Sequence, residues 1–134
     1  MRRAFRFPAA VFAVAIFTLA SSAQFPAMQS VARAAAPQSC LPGSLKATLS
    51  AMRKRFGAPI ILSTHRPGAT IRGTGRRSLH ASCRAVDFHP PRGKYKAVLA
   101  WLKRNHNGGL GTYSGRHSHI HIDNGPRTRW HKSY

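Results

Sequence analysis

The sequence predicts a small α+β domain in which helices pack on one side of a single antiparallel sheet. Three observations carry that prediction. Two stretches repeat apolar residues at helical spacing, about four short runs are β-rich, and the two kinds do not alternate regularly as in a parallel βαβ fold. The first helix follows Leu41-Pro-Gly-Ser44, with Ser44 as its expected N-cap. Leu45, Leu49, Met52 and Phe56 form its apolar stripe, and Arg53, Lys54 and Arg55 load the last turn where the helix dipole favours positive charge. Gly57 ends it. The second helix carries Tyr95, Val98, Leu99 and Leu102 on one face and runs to about Arg104, with Trp101 on a flank.

The strands are expected at Pro59–Ser63, Ala85–Phe88, Gly109–Tyr113 and His119–Asp123, the last two as a hairpin or close pair. Gly68 to Arg77 is rich in Gly and Arg with no apolar period, hence a loop. Pro90-Pro91 breaks the second strand, while Asn107-Gly-Gly109 and Asn124-Gly125 are turn sequences. Trp130 is expected to cap the core.

The chain of 134 residues does not begin as a fold. Met1 to Arg6 is basic, Phe7 to about Ala20 is apolar, and small residues follow at Ser21-Ser-Ala23. That is the pattern of a secretory signal peptide over 1–23, with a second cleavage position after Ala34; an uncleaved N-terminal anchor is the alternative. Cys40 lacks the apolar aliphatic residue three positions earlier that a lipoprotein anchor requires. A linker at 24–39 then leads to one domain over 40–134, long enough for one modest core. The two cysteines, Cys40 and Cys83, are expected to pair if the chain is exported, two buried free thiols being the alternative.

The formal charge is +20; without Arg2, Arg3 and Arg6 it is +17, from 19 basic and 2 acidic residues. Such a domain is attracted to polyanions. Export makes peptidoglycan and other anionic cell-envelope polymers accessible partners. A specific nucleic-acid partner is disfavoured, because the aromatic residues do not interleave with basic ones as stacking platforms would. No stable membrane insertion is expected after signal cleavage, and periplasm or cell envelope is the expected location.

The two acids are Asp87 and Asp123, and five of eight histidines (His80, His89, His117, His119, His121) lie in or next to the stretches holding them. On a strand, His119, His121 and Asp123 share one face while Ile120 and Ile122 point to the core. Imidazoles and carboxylates in this arrangement are what a zinc site uses, with three protein ligands and one open position. The same residues also fit polar positions on an exposed sheet face. Arg66, just beyond the first strand, is either a solvated charge or a donor aimed into a cleft.

Ser78-x-His80-x-x-Cys83-x-Ala85-x-Asp87 resembles the Ser-x-His-x-x-Gly-x-Ala-x-Asp motif of the zinc D-Ala-D-Ala carboxypeptidases. Gly109-Leu-Gly-Thr-Tyr113, His119-Ile-His-Ile-Asp123 and Gly125–Trp130 are similar to their YcbK-like branch. These belong to the wider lysostaphin, D-Ala-D-Ala carboxypeptidase and sonic hedgehog-type metallo-domains. The resemblance covers roughly Leu45 to Trp130. It implies a hedgehog/DD-peptidase-like fold and zinc held by His80, Asp87 and His121. It also implies a catalytic or transition-state-stabilising His119, an Arg66 that steadies developing charge or holds a substrate carboxylate, and Ser78 near the substrate.

Two departures stand out. Cys83 replaces the motif's glycine, so the turn must be built differently, with the Cys40 bridge available to hold it. The chain has no glutamate, and Ser118 stands three before His121 where relatives place an acidic base. The base role then falls to His119 or Asp123, unless Asp123 orients a ligand histidine instead. The function implied is an exported zinc carboxypeptidase or endopeptidase acting on D-amino-acid amide bonds of peptidoglycan. The alternative is a non-catalytic, zinc-containing cell-wall-binding module.

Overall fold

The computed structural model describes residues 36–134. The expected signal peptide, both cleavage positions and linker residues 24–35 lie outside the described residues. The elements run α1 (Gly43–Phe56), β1 (Ile60–Ser63), β2 (Ala85–His89), α2 (Tyr95–Asn105), β3 (Leu110–Ser114), β4 (His119–Asp123) and β5 (Arg129–Ser133). Short 3-10 helices lie at Leu79–Ser82 and Gly115–His117. The sheet order is β1-β2-β4-β3-β5.

The α+β class is the one predicted, and both helices pack on one face of the sheet. Three strand pairs are antiparallel, but β5 runs parallel to β3, so the sheet is mixed and has five strands. The sequence hid β5 because Arg129-Trp-His-Lys-Ser133 holds no aliphatic residue. Backbone pairing along one edge makes this strand, without a buried apolar face to announce it. Among the described residues, no helix is long and apolar enough to cross a membrane.

The start of α1 differs from expectation. Ser44 is not the N-cap: the helix begins at Gly43, and Pro42 takes the capping position without a side-chain bond. Proline has no N–H to leave unpaired there, and its carbonyl accepts from the N–H groups of Leu45 and Lys46, each at 3.1 Å. Gly57 ends the helix at φ 100°, as its sequence position suggested.

Cross-strand register sorts the sheet into two faces. Val86, Ile122 and Leu110 lie in one row, with Phe88 and Ile120 in the next. These five pack with Leu45, Leu49 and Met52 of α1 and Val98 and Leu102 of α2. On the opposite face one row reads Asp87, His121, Gly111, Trp130, and its neighbour His119, Tyr113, Lys132. Period-two alternation thus separates the core from the chemistry. It also corrects the expectation for Trp130. The indole sits opposite Gly111 on the polar face, 5.3 Å from the His121 ring, and does not cap the core. A Cβ at position 111 would overlap the indole, so glycine there is what admits it. Trp101 holds the expected flank, edge-on to Phe56 at 6.0 Å.

Cys40 and Cys83 form a disulfide. Cys83 follows the Leu79–Ser82 turn with φ 54°, the one non-glycine residue among those described with positive φ. The backbone therefore keeps the left-handed conformation that a glycine takes at no steric cost.

Candidate metal centre and active site

Three elements converge on Asp87. The 3-10 helix brings His80, which is 1% exposed; β2 brings Asp87 and β4 brings His121, both also buried. The His80 Nε2 lies 3.1 Å from Asp87 Oδ2, and His121 Nδ1 lies 2.8 Å from Asp87 Oδ1. The two ring nitrogens are 3.3 Å apart. One ligand atom from each residue falls within 4.8 Å of the others.

The outward nitrogens are pinned. The Nδ1 of His80 is 2.7 Å from the Thr64 carbonyl, which fixes Nδ1 as the protonated nitrogen and turns the Nε2 lone pair inward. A shift in register between Ile61 and Ser63 of β1 precedes Thr64. The Nε2 of His121 is 3.1 Å from Asp123 Oδ2, which directs Nδ1 inward in the same way. Asp123 is itself fixed, its Oδ1 accepting from Gly109 N–H at 3.1 Å and Gly125 N–H at 2.7 Å. A side chain at Gly109 would collide with this carboxylate. Two imidazoles and a carboxylate facing inward, each imidazole held from behind by an oxygen acceptor, match the donor set and outer support of a zinc site.

Electrostatics follow the same lines. Burial alone would raise the Asp87 carboxyl pKa, but hydrogen bonds and charge from His121 and His80 outweigh it and hold the group well below the usual carboxylate range. Burial would lower His121, yet Asp123 and Asp87 raise it. Asp123 is lowered despite burial by His121 and the two backbone N–H groups.

The remaining predicted residues also lie here. Arg66 Nη2 is 3.5 Å from Asp87 Oδ2, so its guanidinium reaches the cleft while the side chain stays about half exposed to solvent. His119 stacks on Tyr113 with centroids 4.2 Å apart; its Nδ1 is 2.6 Å from the His117 carbonyl and its Nε2 3.7 Å from Asp87 Oδ1. Ser78 lines the cleft while its Oγ accepts from the His80 N–H at 3.3 Å. The cleft encloses about 530 Å³, within the range that small ligands occupy.

Four participants were missed from sequence: Thr64, Tyr113, Trp130 and His106. Strand alternation from His121 across the sheet would have found Tyr113, but Thr64 acts through its carbonyl and carries no side-chain signal. His106, buried just after α2, donates from Nε2 to the Asp123 carbonyl at 2.9 Å and to the Gly109 carbonyl at 3.1 Å. Arg129 donates to the carbonyls of Gly108 and His106 at 2.6 and 2.8 Å, fastening the same corner to β5.

Burial lowers the His106 pKa, outweighing the backbone acceptors that favour its charged form. A lowered folded pKa means that the unfolded chain takes up the proton first as pH falls. The contribution of neutral His106 to stability is therefore complete above about pH 6.5 and is lost as pH drops through the lower folded value. In chelator-treated protein, His106→Gln keeps a donor but does not titrate. It is expected to show a smaller loss of melting temperature between pH 7 and 5 than the unaltered protein, with parallel curves counting against the argument.

A polar, half-buried sheet face with a buried His-Asp-His group defines the class: a domain whose cleft could hold a metal ion. The family model for Peptidase M15 matches residues 19–123, so the chain belongs to the Peptidase M15 family. No curated protein and no solved structure matches the chain.

Proposed function

We propose that this protein is an exported zinc peptidase that hydrolyses D-amino-acid amide bonds in peptidoglycan stem peptides or cross-links. The observation that carries the reading is the buried His80–Asp87–His121 set, with both imidazoles oriented from behind by Thr64 and Asp123. These three residues would hold the metal. Zinc, when bound, supplies Lewis acidity at a carbonyl and lowers the pKa of water.

The proton chemistry belongs to His119. Its Nδ1–H donates to the His117 carbonyl, so the Nε2 lone pair faces the cleft. Asp87 and Asp123 are the only side-chain carboxylates, and both are engaged within the centre. His119 therefore takes the general-base role that relatives give to an acid at the position of Ser118. As water attacks the amide carbon, its proton passes to His119 Nε2. The same proton then passes to the departing amine as the C–N bond breaks. The Arg66 guanidinium lies near enough to stabilise the negative charge developing on the carbonyl oxygen. Asp123 acts through His121 as a positioning residue, and Ser78 lines the substrate path.

The test is elemental analysis of the purified protein together with digestion of purified peptidoglycan, with and without a chelator. About one zinc per chain and chelator-sensitive release of cleaved muropeptides is the expected result, and the products identify the bond. Zinc without cleavage would favour the cell-wall-binding module, which the missing glutamate otherwise motivates. Absence of zinc would overturn the metal assignment.

A further inference from the structure

We infer that the end of the cleft remote from His121 is a subsite for a peptide carboxylate, formed by Arg72 and Lys132 beside the Tyr134 ring. The inference rests on the peptidase reading for the kind of ligand, and on independent geometry for the site. A ladder of flat groups leads away from the centre. His119 stacks on Tyr113 at 4.2 Å and 12°, Tyr113 on Tyr134 at 5.9 Å and 6°, and the Arg72 guanidinium lies 5.7 Å from the Tyr134 centroid. Lys132 is opposite Tyr113 in the β3/β5 register and half-buried on the same face. All of these side chains line the one cleft.

What distinguishes the two cations is their place on the cleft wall; like every described lysine and arginine except Arg66, they have no carboxylate side chain as partner. All five ion pairs among the described residues use Asp87 or Asp123, and neither Arg72 nor Lys132 takes part. Both carboxylates are committed to the histidine centre, so no other acidic side chain exists to neutralise Arg72 or Lys132. Lysines along an exposed helix face are satisfied by water. Here an arginine laid over an aromatic ring and a half-buried lysine border a space already shaped for a ligand. Arg66 serves the reaction centre, leaving Arg72 and Lys132 to read an anion farther along the substrate. Lys132 and Tyr134 lie beyond the stretch that the family model matches, whereas Arg72 lies within it.

The test measures binding by calorimetry to the zinc-loaded full chain carrying His119→Ala, which removes the proposed base and leaves the ligand set intact. The probes are acetylated peptides ending in D-Ala-D-Ala whose preceding residue is glutamate or glutamine, each with a free or amidated C-terminus. These separate a side-chain carboxylate from a terminal one. One of the two carboxylates is expected to tighten binding about tenfold at 0.15 M salt. Arg72→Gln/Lys132→Gln should reduce that preference to less than twofold. Arg92→Gln/Lys96→Gln removes the same charge from exposed positions outside the cleft and should leave the preference intact.

Equal affinity for all probes overturns the subsite. So does a preference lost equally in both double variants, which would trace it to bulk charge alone. The peptidase reading fails separately: if the unaltered protein cleaves none of the peptides but the preference still maps to Arg72 and Lys132, the subsite stands without it. Cleavage with no carboxylate preference keeps the peptidase and removes the subsite.

Discussion

His121→Ala is expected to release the metal and reduce peptide hydrolysis to background. The substitution removes one of three inward ligand atoms, the Nδ1 that lies 2.8 Å from Asp87 Oδ1. A two-ligand remnant does not retain zinc through dialysis, because the centre depends on three protein ligands around an open position. The comparison that gives this meaning is Asp123→Asn. Its carbonyl oxygen can still accept from Gly109 and Gly125, but the amide then presents a donor to the His121 Nε2–H. That change should weaken metal affinity by about 10–100-fold without abolishing it. Zinc per chain after dialysis, read beside turnover and a far-ultraviolet spectrum to confirm folding, separates the two variants. Full zinc content and activity in His121→Ala would remove His121 from the centre.

The second large effect concerns stability. The Cys40–Cys83 bridge closes a sequence separation of 43 residues. In the chain-entropy account that constraint contributes about 4 kcal/mol, and for a domain of this size each kcal/mol moves the melting temperature by roughly 4–8 °C. Replacing both cysteines by serine should therefore lower the melting temperature by on the order of 15–30 °C. Position 83 allows a finer comparison, because its φ of 54° favours glycine. Cys40→Ser/Cys83→Gly should be the more stable of two bridge-free variants, by up to about 1 kcal/mol. Denaturant titration measures both quantities. A melting temperature unchanged by loss of the bridge would show that the first helix and the sheet hold the turn unaided.

The outcome at position 83 shows how much of this protein was legible in its sequence and where reading stopped. The departure from glycine was visible and the bridge was expected, but a left-handed cysteine is a backbone fact that no side-chain pattern encodes. The two helices were legible because each carries an apolar stripe; β4 was legible because its isoleucines alternate with polar residues. β5 was not, since an edge strand held by backbone pairing and polar side-chain contacts to β3 writes no such alternation. The same reasoning covers the centre. Histidines and carboxylates stood out against a chain with only two acids. The carbonyls of Thr64 and His117, which decide which nitrogen of His80 and His119 faces the cleft, belong to groups that every residue carries. Trp130 was misplaced because an aromatic near the end of a domain reads as core. Only the register to Gly111 turns it towards the chemistry.

The gathering of both acids at one place gives the molecule a built-in chemical label. A carbodiimide paired with a small amine converts carboxyl groups to amides and leaves lysine and arginine unchanged. In most proteins such labelling scatters over the surface. Here the only side chains it can reach are Asp87 and Asp123, 7% and 6% exposed, so any side-chain mass increment is a report from the centre itself. Protection of those two positions on adding zinc, and its reversal by a chelator, would follow occupancy of the site by mass spectrometry alone, in preparations too dilute or too impure for an activity assay.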